Sequence, residues 1–421
     1  MIAQVRSLNR VRILLWHGYL LGGTGSNVYT RALAREWSNA GHDVVVVSQE
    51  RNPERYDLGA SQTVAVDLPG RLLPVFVMDG YAGLEPKFLQ DFTEREKRAY
   101  VDANAGALRE LLPAEVLFTN HALMGGPVGA ATGATFRVKV HGSELEYSML
   151  GRPELEAWGR ETLAQAEATF VGSNHIRDVL EHVVGHVERV FEVPPGVDVD
   201  EFTLQERGEA LADLICEARN DPPNEGNERL PDDGNAERLE AFLSEDEPTV
   251  VYFGKLIEQK GVHVLLEAMR GLDARLVVVG FGPYRAELEA TAPPRTLFTG
   301  PLEHRHLVHL LPLADATVVP SIFPEAFGMV AAEAAAAGSP PLVARHSGLA
   351  EVAAGLEEEY PERFRHLASF ATGDASDLAR KLEELLALSP ADRDELRRAA
   401  RRAVVERWSW TSVAQRLLEP V

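Results

Sequence analysis

One cysteine in 421 residues, Cys216, excludes an internal disulfide and suits a reducing compartment. Its neighbours Leu214 and Ile215 are apolar, which predicts a thiol packed inside the fold rather than a reactive one. Long apolar runs are absent too: nothing approaches the roughly 18 uninterrupted apolar residues of a membrane span. Met1 to Arg10 has no secretory-type apolar segment, so the expectation is a cytoplasmic protein with no integral membrane span. Basic side chains are in deficit, 42 against 64 acidic, for a formal charge of -22. That field repels nucleic-acid phosphate and anionic lipid, and no strongly basic amphipathic helix offsets it. A short-period repeat is missing, and so is the G-x-G-x-x-G spacing of a dinucleotide fold, which disfavours a nicotinamide-dependent dehydrogenase.

What is present is a long alternation of strand and helix signals. The length exceeds a single ordinary core, so two domains are expected. Short apolar runs at Val11 to Trp16, Val44 to Val47, Val116 to Thr119, Phe136 to Val140 and Ala168 to Val171 read as strands buried on both faces. Helical periodicity fills the gaps at Ser26 to Ala40, Lys87 to Leu112, Glu154 to Ala166 and Asn174 to Val184. After Pro194-Pro195-Gly196, a stiff turn, the composition of 204–248 shifts to Glu, Asp, Asn and Pro, which reads as a solvated surface excursion. A second series follows, with strands at Thr249 to Phe253, Arg275 to Val279, Thr296 to Phe298, Ala316 to Pro320 and Pro341 to Ala344. Helices are expected between them, one from Phe327 to Ala337. Such alternation predicts parallel sheets covered on both sides.

Four segments sit directly after strands, where open parallel sheets hold their ligands. In Pro324-Glu-Ala-Phe-Gly-Met-Val-Ala-Ala-Glu333, two carboxylates, Glu325 and Glu333, bracket a helix start whose unpaired amides suit a diphosphate. A Glu pair in isolation reads as a helix-end charge and a solvated side chain, but the alanine run Ala331 to Ala337 predicts a close-packed helix instead. Gly254-Lys-Leu-Ile-Glu-Gln-Lys-Gly261 places Lys255 and Lys260 where both could reach one anion. Gly22-Gly-Thr-Gly25 is a glycine loop before a helix, suited to phosphate or acceptor, or simply a tight turn. In Val138-Lys-Val-His-Gly-Ser-Glu144, His141 follows a buried strand and is a candidate for touching substrate; His121 holds a similar position with less support.

Together these segments resemble the family-four glycosyltransferases of GT-B architecture. Gly280-Phe-Gly282, Phe298-Thr-Gly300 and Pro195-Gly-Val-Asp198 appear in the family's order, and the resemblance runs from Arg12 to Trp410. It implies an α/β fold of two Rossmann-like doubly wound domains with an interdomain cleft. The domains would be 1–194, joined by a final helix at 405–421, and 195–404. It further implies retaining transfer of a hexosyl unit from a nucleoside-diphosphate sugar to a hydroxyl acceptor by front-face displacement. Glu333 would hold the ribose, Lys255 and Lys260 the diphosphate, and Glu325 with the backbone of Phe327, Gly328 and Met329 the donor sugar. Gly23 and Gly254 would allow close backbone approach, His141 would meet the reacting sugar, and the base would lie near Gly280, Gly282 and the Arg295 to Leu297 strand. Lys255 stands where the family commonly has Arg, a point charge in place of a bidentate grip. Asp198-Val-Asp200 resembles a metal-binding D-x-D but matches the linker pattern, so no obligatory metal or cofactor is expected. The partners are then the donor and an unidentified acceptor, with a homodimer left open. A nucleotide-sugar epimerase and a non-catalytic nucleotide-sugar-binding protein are the alternatives.

Overall fold

The structure, a computed structural model, describes residues 10–22, 25–76 and 83–419. Its chain divides into two units, one running to Pro195 and completed by the segment from Trp410 on, the other Gly196–Ser409. In the first unit the strands are β1 (Arg12–Trp16), β2 (Asp43–Ser48), β3 (Gln62–Ala65), β4 (Leu72–Val75), β5 (Glu85–Phe88), β6 (Val116–Asn120), β7 (Arg137–Lys139), β8 (Ala168–Val171) and β9 (Val190–Glu192). Seven of them form one sheet in the order β3-β2-β1-β6-β7-β8-β9, every pair parallel. β4 and β5 pair separately.

The central strands show why β-branched and apolar runs read correctly. Leu14 and Trp16 belong to one apolar cluster while Ile13 and Leu15 belong to another, as do Val45 and Val47 against Val44 and Val46. Alternate side chains leave a strand on opposite faces, so a sheet with helices on both sides needs every position apolar. The last helix, Trp410–Leu418, joins the second of these clusters: Trp37 Nε1 donates to the Ala414 carbonyl at 2.9 Å, and Val413 and Leu417 are buried with Ile13. The junction therefore lies at 409/410 rather than 404/405, because the helix Pro390–Arg407 packs entirely within the second unit's core through Leu396, Ala400, Ala403 and Val404.

The second unit carries β10 (Thr249–Phe253), β11 (Arg275–Val279), β12 (Thr296–Phe298), β13 (Ala316–Val319), β14 (Pro341–Ala344) and β15 (Ser369–Phe370), ordered β12-β11-β10-β13-β14-β15 and parallel throughout. In each unit the strand order reverses beside the first strand, between β1 and β6 and between β10 and β13. Ligands of doubly wound sheets bind in the crevice outside the strand C-termini at that reversal.

Several expectations need correction. The acidic segment 204–248 is not a loose excursion: it forms helices Arg207–Arg219 and Asn235–Leu243, which bury Ala210, Leu214, Ile215, Leu239 and Leu243. Their polar faces dominate the composition and hide a sparse apolar stripe. The segment is pinned to the sheet where Asn235 Nδ2 donates to the Thr299 carbonyl at 2.8 Å and Arg285 grips Asp232 through two bonds of 2.9 and 2.6 Å. Cys216 is exposed, not packed, since a helix turns about 100° per residue and carries it away from the face of Leu214 and Ile215. The helix expected from Lys87 begins at Glu94, behind a capping box in which Thr93 and Glu96 bond reciprocally; Lys87 lies in β5.

Candidate active site

In the second unit the glycine positions are dictated by backbone crowding. A Cβ on Gly280 (φ 145°) would stand 1.8 Å from the Gly254 carbonyl oxygen, and one on Gly282 (φ 149°) 2.4 Å from that of Leu256. Because glycine alone fits, the ends of β10 and β11 close together: Gly254 N donates to Val279 O at 3.0 Å and Leu256 N to Phe281 O at 2.8 Å. On the other side of β10, Ile322 N donates to Gln259 O at 3.0 Å, joining the Gly254–Gly261 loop to the loop that follows β13.

Those two loops meet in charge as well as backbone. Lys260 Nζ pairs with Glu325 Oε1, and Ser321 Oγ donates to the same oxygen at 2.6 Å. Glu325 N donates to Ser347 Oγ at 2.8 Å and its carbonyl accepts from Gly348 N at 3.0 Å, while His346 Nε2 lies 2.7 Å from the Ser321 carbonyl and donates to it. Glu325 Oε2 accepts no hydrogen bond among the described residues, so one carboxylate oxygen is committed and one is left over. Lys255 is exposed, and its amine makes no hydrogen bond or ion pair among the described residues.

The helix expected from Phe327 begins at Met329, two residues later, because Gly328 takes φ 124° and Phe327 is buried with its ring edge-on to Trp408 at 5.5 Å. Gly328 O accepts from Ala331 and Ala332, leaving the amides of Met329 and Val330 at the helix mouth. Glu333, in the second turn, is flanked by buried alanines and accepts no side-chain hydrogen bond among the described residues. Burial pushes its carboxyl up to about 7, opposed by His304, which is itself raised through a 2.6 Å contact with Glu201.

The first unit gathers a different set after β1, β6 and β7. His141 Nε2 lies 2.8 Å from Asn120 Oδ1, and its ring is 4.6 Å from that of His121, which is 6.1 Å from and stacked on His17. Glu144, fully buried, accepts from the amides of His141 (3.2 Å) and Ala122 (3.3 Å) and contacts His121 Nδ1 at 3.2 Å. Burial, with His121 alongside, lowers His17 to about 3 and holds His141 well below the usual histidine range. Burial raises Glu144, but His121 and the backbone donors outweigh it and leave the carboxyl below its ordinary value. His17 and His141 are thereby favoured in the neutral form and Glu144 in the ionised form.

Of the residues singled out from sequence, the structure joins Lys260 to Glu325 directly and sets Gly254 against Gly280, with Gly282 against the backbone of Leu256. Leu297 lies within β12, paired with Val277 and half-buried, whereas Arg295 is at the N-terminal edge, ion-paired with Glu247 and Asp273 and away from the strand C-termini. His141 belongs to the other unit, and Gly23 falls outside the described residues. Asp198 Oδ1 accepts from the amides of Asp200 and Glu201, at 3.3 and 3.2 Å, and so closes a turn. Sequence reasoning missed Ser321 and Ser347, which hold Glu325, His346, which bonds both serines, and His17, Asn120 and Glu144, which surround His121. A position immediately after a buried strand was the signal available for His17, Asn120 and Ser321.

No helix among the described residues is long and apolar enough to cross a membrane. Residues 23–201 match the family model described as Glycosyltransferase Family 4, and residues 235–403 the one described as Glycosyl transferases group 1. The chain is 28% identical over 359 residues to D-inositol 3-phosphate glycosyltransferase of Xylanimonas cellulosilytica, covering 78% of this chain and 77% of that protein. The Nocardia farcinica enzyme of the same name is 27% identical, with 98% and 88% covered. Among solved structures, sucrose-phosphate synthase from Thermosynechococcus elongatus superposes with a TM-score of 0.67 at 20% identity, covering 97% of each chain. Anabaena HepE in complex with UDP-glucose gives 0.65 at 14%, covering 97% of this chain and 98% of that one. With a family match on each half and a shared doubly wound fold, the chain belongs to the family-four glycosyltransferases and is a glycosyltransferase of GT-B architecture.

Proposed function

We propose that the protein transfers a hexosyl unit from a nucleoside-diphosphate sugar to a hydroxyl acceptor with retention of anomeric configuration. The observation that carries this is the cluster at the β10/β13 reversal: Lys260 bonded to Glu325 and, among the described residues, Lys255 unpaired, two open amides at Met329 and Val330, and a Glu333 carboxyl without a hydrogen-bond donor. The lysines and amides suit a diphosphate, Glu325 Oε2 suits sugar hydroxyls, and Glu333 suits a ribose diol. In the reaction the bond between the anomeric carbon and the β-phosphate oxygen breaks while the acceptor oxygen bonds to the same face. The acceptor proton passes to the departing phosphate, so catalysis consists of stabilising the charge that grows there. The UDP-glucose complex of HepE and the inositol phosphate named for the curated relatives support a sugar nucleotide and a polyol-type acceptor.

The test is incubation with UDP-, ADP- and GDP-glucose and an acceptor panel, with proton NMR of the anomeric centre. A product retaining the donor's α-configuration is expected; an inverted product refutes front-face transfer, and isomerised sugar from donor alone indicates an epimerase.

The pH dependence of nucleotide binding gives a second check. Glu333 ionises as pH rises through about 7, and a carboxylate accepts hydrogen bonds from a diol more strongly than a neutral acid. Nucleotide affinity of the wild type is therefore expected to rise from pH 6 to pH 8, and Glu333→Gln to bind weakly with no such rise. Stability runs the opposite way. An acid whose folded pKa is raised contributes stability below its unfolded value and loses it as pH climbs through the folded one, so Glu333→Gln should melt higher than wild type above pH 7. Calorimetric titration and melting curves at both pH values decide it.

A further inference from the structure

Residues 202–234 lie between the two stretches that match family models, and their last turn reaches the carboxyl edge of the second sheet. Asp232 N donates to the Thr299 carbonyl at 2.9 Å, directly beyond β12. Its carboxylate lies against Gly300, where an added Cβ would stand 2.6 Å from Oδ1 and 3.0 Å from the Asp232 amide nitrogen. The two carboxylate oxygens face two guanidinium nitrogens of Arg285, first residue of the helix Arg285–Thr291, at 2.9 and 2.6 Å. A planar fork on a carboxylate fixes direction as well as distance, and with the side chains only 25% and 20% exposed it is weakly screened.

This pair closes a ring of bonds. Gly300 O accepts from Gly280 N at 2.9 Å, Gly282 O accepts from Arg285 N at 3.1 Å, and the Arg285 side chain returns to Asp232. Asn235 Nδ2 is a second donor to the Thr299 carbonyl and Thr299 Oγ1 a second donor to that of Gly300, so both lone pairs of each are used. The Gly254–Gly261 loop is bonded to the same ring. Gly254 N donates to Val279 O, Leu256 N donates to Phe281 O, and Leu256 O accepts from Tyr284 N at 3.0 Å. Lys255 therefore leaves a backbone that is seated on both sides, and its own carbonyl accepts from the Tyr252 hydroxyl at 2.9 Å.

We propose that Asp232 is a positioning residue for the phosphate-facing loop: its ion pair with Arg285 closes the ring on which Gly254, Lys255 and Leu256 sit, and the acidic segment thereby serves the nucleoside-diphosphate site. The proposal rests on the reading of this protein as a nucleotide-sugar transferase. A second anchor of the same segment separates positioning from plain attachment. Arg305, in the helix His304–Leu310, bonds the Glu217 carboxylate at 2.8 Å and also Asp221, residues that take no part in the ring.

Amide hydrogen exchange of the full chain, read by mass spectrometry, tests the ring without any ligand. Asp232→Ala should speed exchange by about tenfold in peptides spanning 253–257 and 279–285, with 316–320 unchanged. Arg285→Lys, a point charge in place of a fork, should fall between that variant and wild type. Arg305→Ala should leave both peptides at wild-type rates even where its melting temperature drops as far. Titration with uridine, adenosine and guanosine diphosphates reads the consequence: the nucleotide that wild type takes should bind Asp232→Ala about tenfold more weakly and Arg305→Ala equally well. Should Asp232→Ala not fold, Asp232→Asn keeps the side chain's shape without its charge, and faster exchange is expected in the same two peptides. Wild-type exchange in the Asp232 variant, equal changes in Arg305→Ala, or loosened peptides with unaltered nucleotide affinity overturns the proposal. A wild type that binds none of the three nucleotides counts against the transferase reading, while exchange still decides whether Asp232 holds the loop.

Discussion

Lys260→Ala is expected to lower kcat by roughly 10²–10³-fold, the usual loss when one preorganised donor to developing charge is removed. Nucleotide affinity should fall much less, because the amine is partly exposed and its ground-state attraction is screened by solvent. The variant should still fold: Glu325 keeps its bonds to Ser321, Ser347 and Gly348, so its loop loses one contact of four. Lys255→Ala is the informative companion, since that lysine is exposed and no carboxylate among the described residues orients it, and a smaller kcat effect is expected. Steady-state kinetics together with nucleotide titration separate the two quantities. A Lys260→Ala enzyme with wild-type kcat would remove the charge-stabilising role assigned to this residue.

Gly280→Ala should destabilise the second unit by about 4 kcal/mol or more, the range reached only when backbone strain or core disruption is imposed. The added Cβ would meet the Gly254 carbonyl oxygen at 1.8 Å and its carbon at 3.0 Å, and neither is a side chain that can swing aside. Relief would require β10 and β11 to part at their C-terminal ends, which breaks the bond from Gly254 N to Val279 O and displaces Lys255 with it. The residue's φ of 145° adds strain of its own. Gly271→Ala supplies the contrast, with nothing within 4 Å of its added Cβ and no positive φ; its stability should stay within about 1 kcal/mol of wild type. Urea unfolding of both variants measures the difference, and equal midpoints would mean that the β10–β11 contact is not as close as the structure has it.

Both variants probe positions whose importance was legible in the sequence, Lys260 and Gly280, and the reason they were legible is the chain direction of a parallel sheet. Every strand of such a sheet ends on the same side, so polar or glycine residues directly after an apolar run fall at the ligand-bearing edge. The strands themselves were readable because burial on both faces leaves an uninterrupted apolar signature in β1, β2, β10 and β11. Where burial is one-sided or an element is short, the signature fails. β15 has two residues, and the helix Ser347–Glu359 follows His346 and opens on Ser347 and Gly348, which carry no apolar signature. The segment 204–248 misled for another reason: composition averages over a helix, while packing depends only on the stripe that faces inward.

The alternation of strands and helices and the residue types stationed after the strands were legible in the amino-acid sequence alone, through periodicity and chain direction, whereas the strand order and its two reversals came from the fold. What the tertiary structure decided is which polar groups satisfy one another. Lys260 and Glu325 are 65 residues apart, and His141 meets Asn120 across 21. Whether a carboxylate is paired like Glu325 or stranded like Glu333, and which nitrogen of an imidazole holds the proton, depends on neighbours brought close only by folding. Hydrogen bonding and desolvation act over a few ångströms in space, and sequence spacing beyond a single helical turn carries no record of that distance.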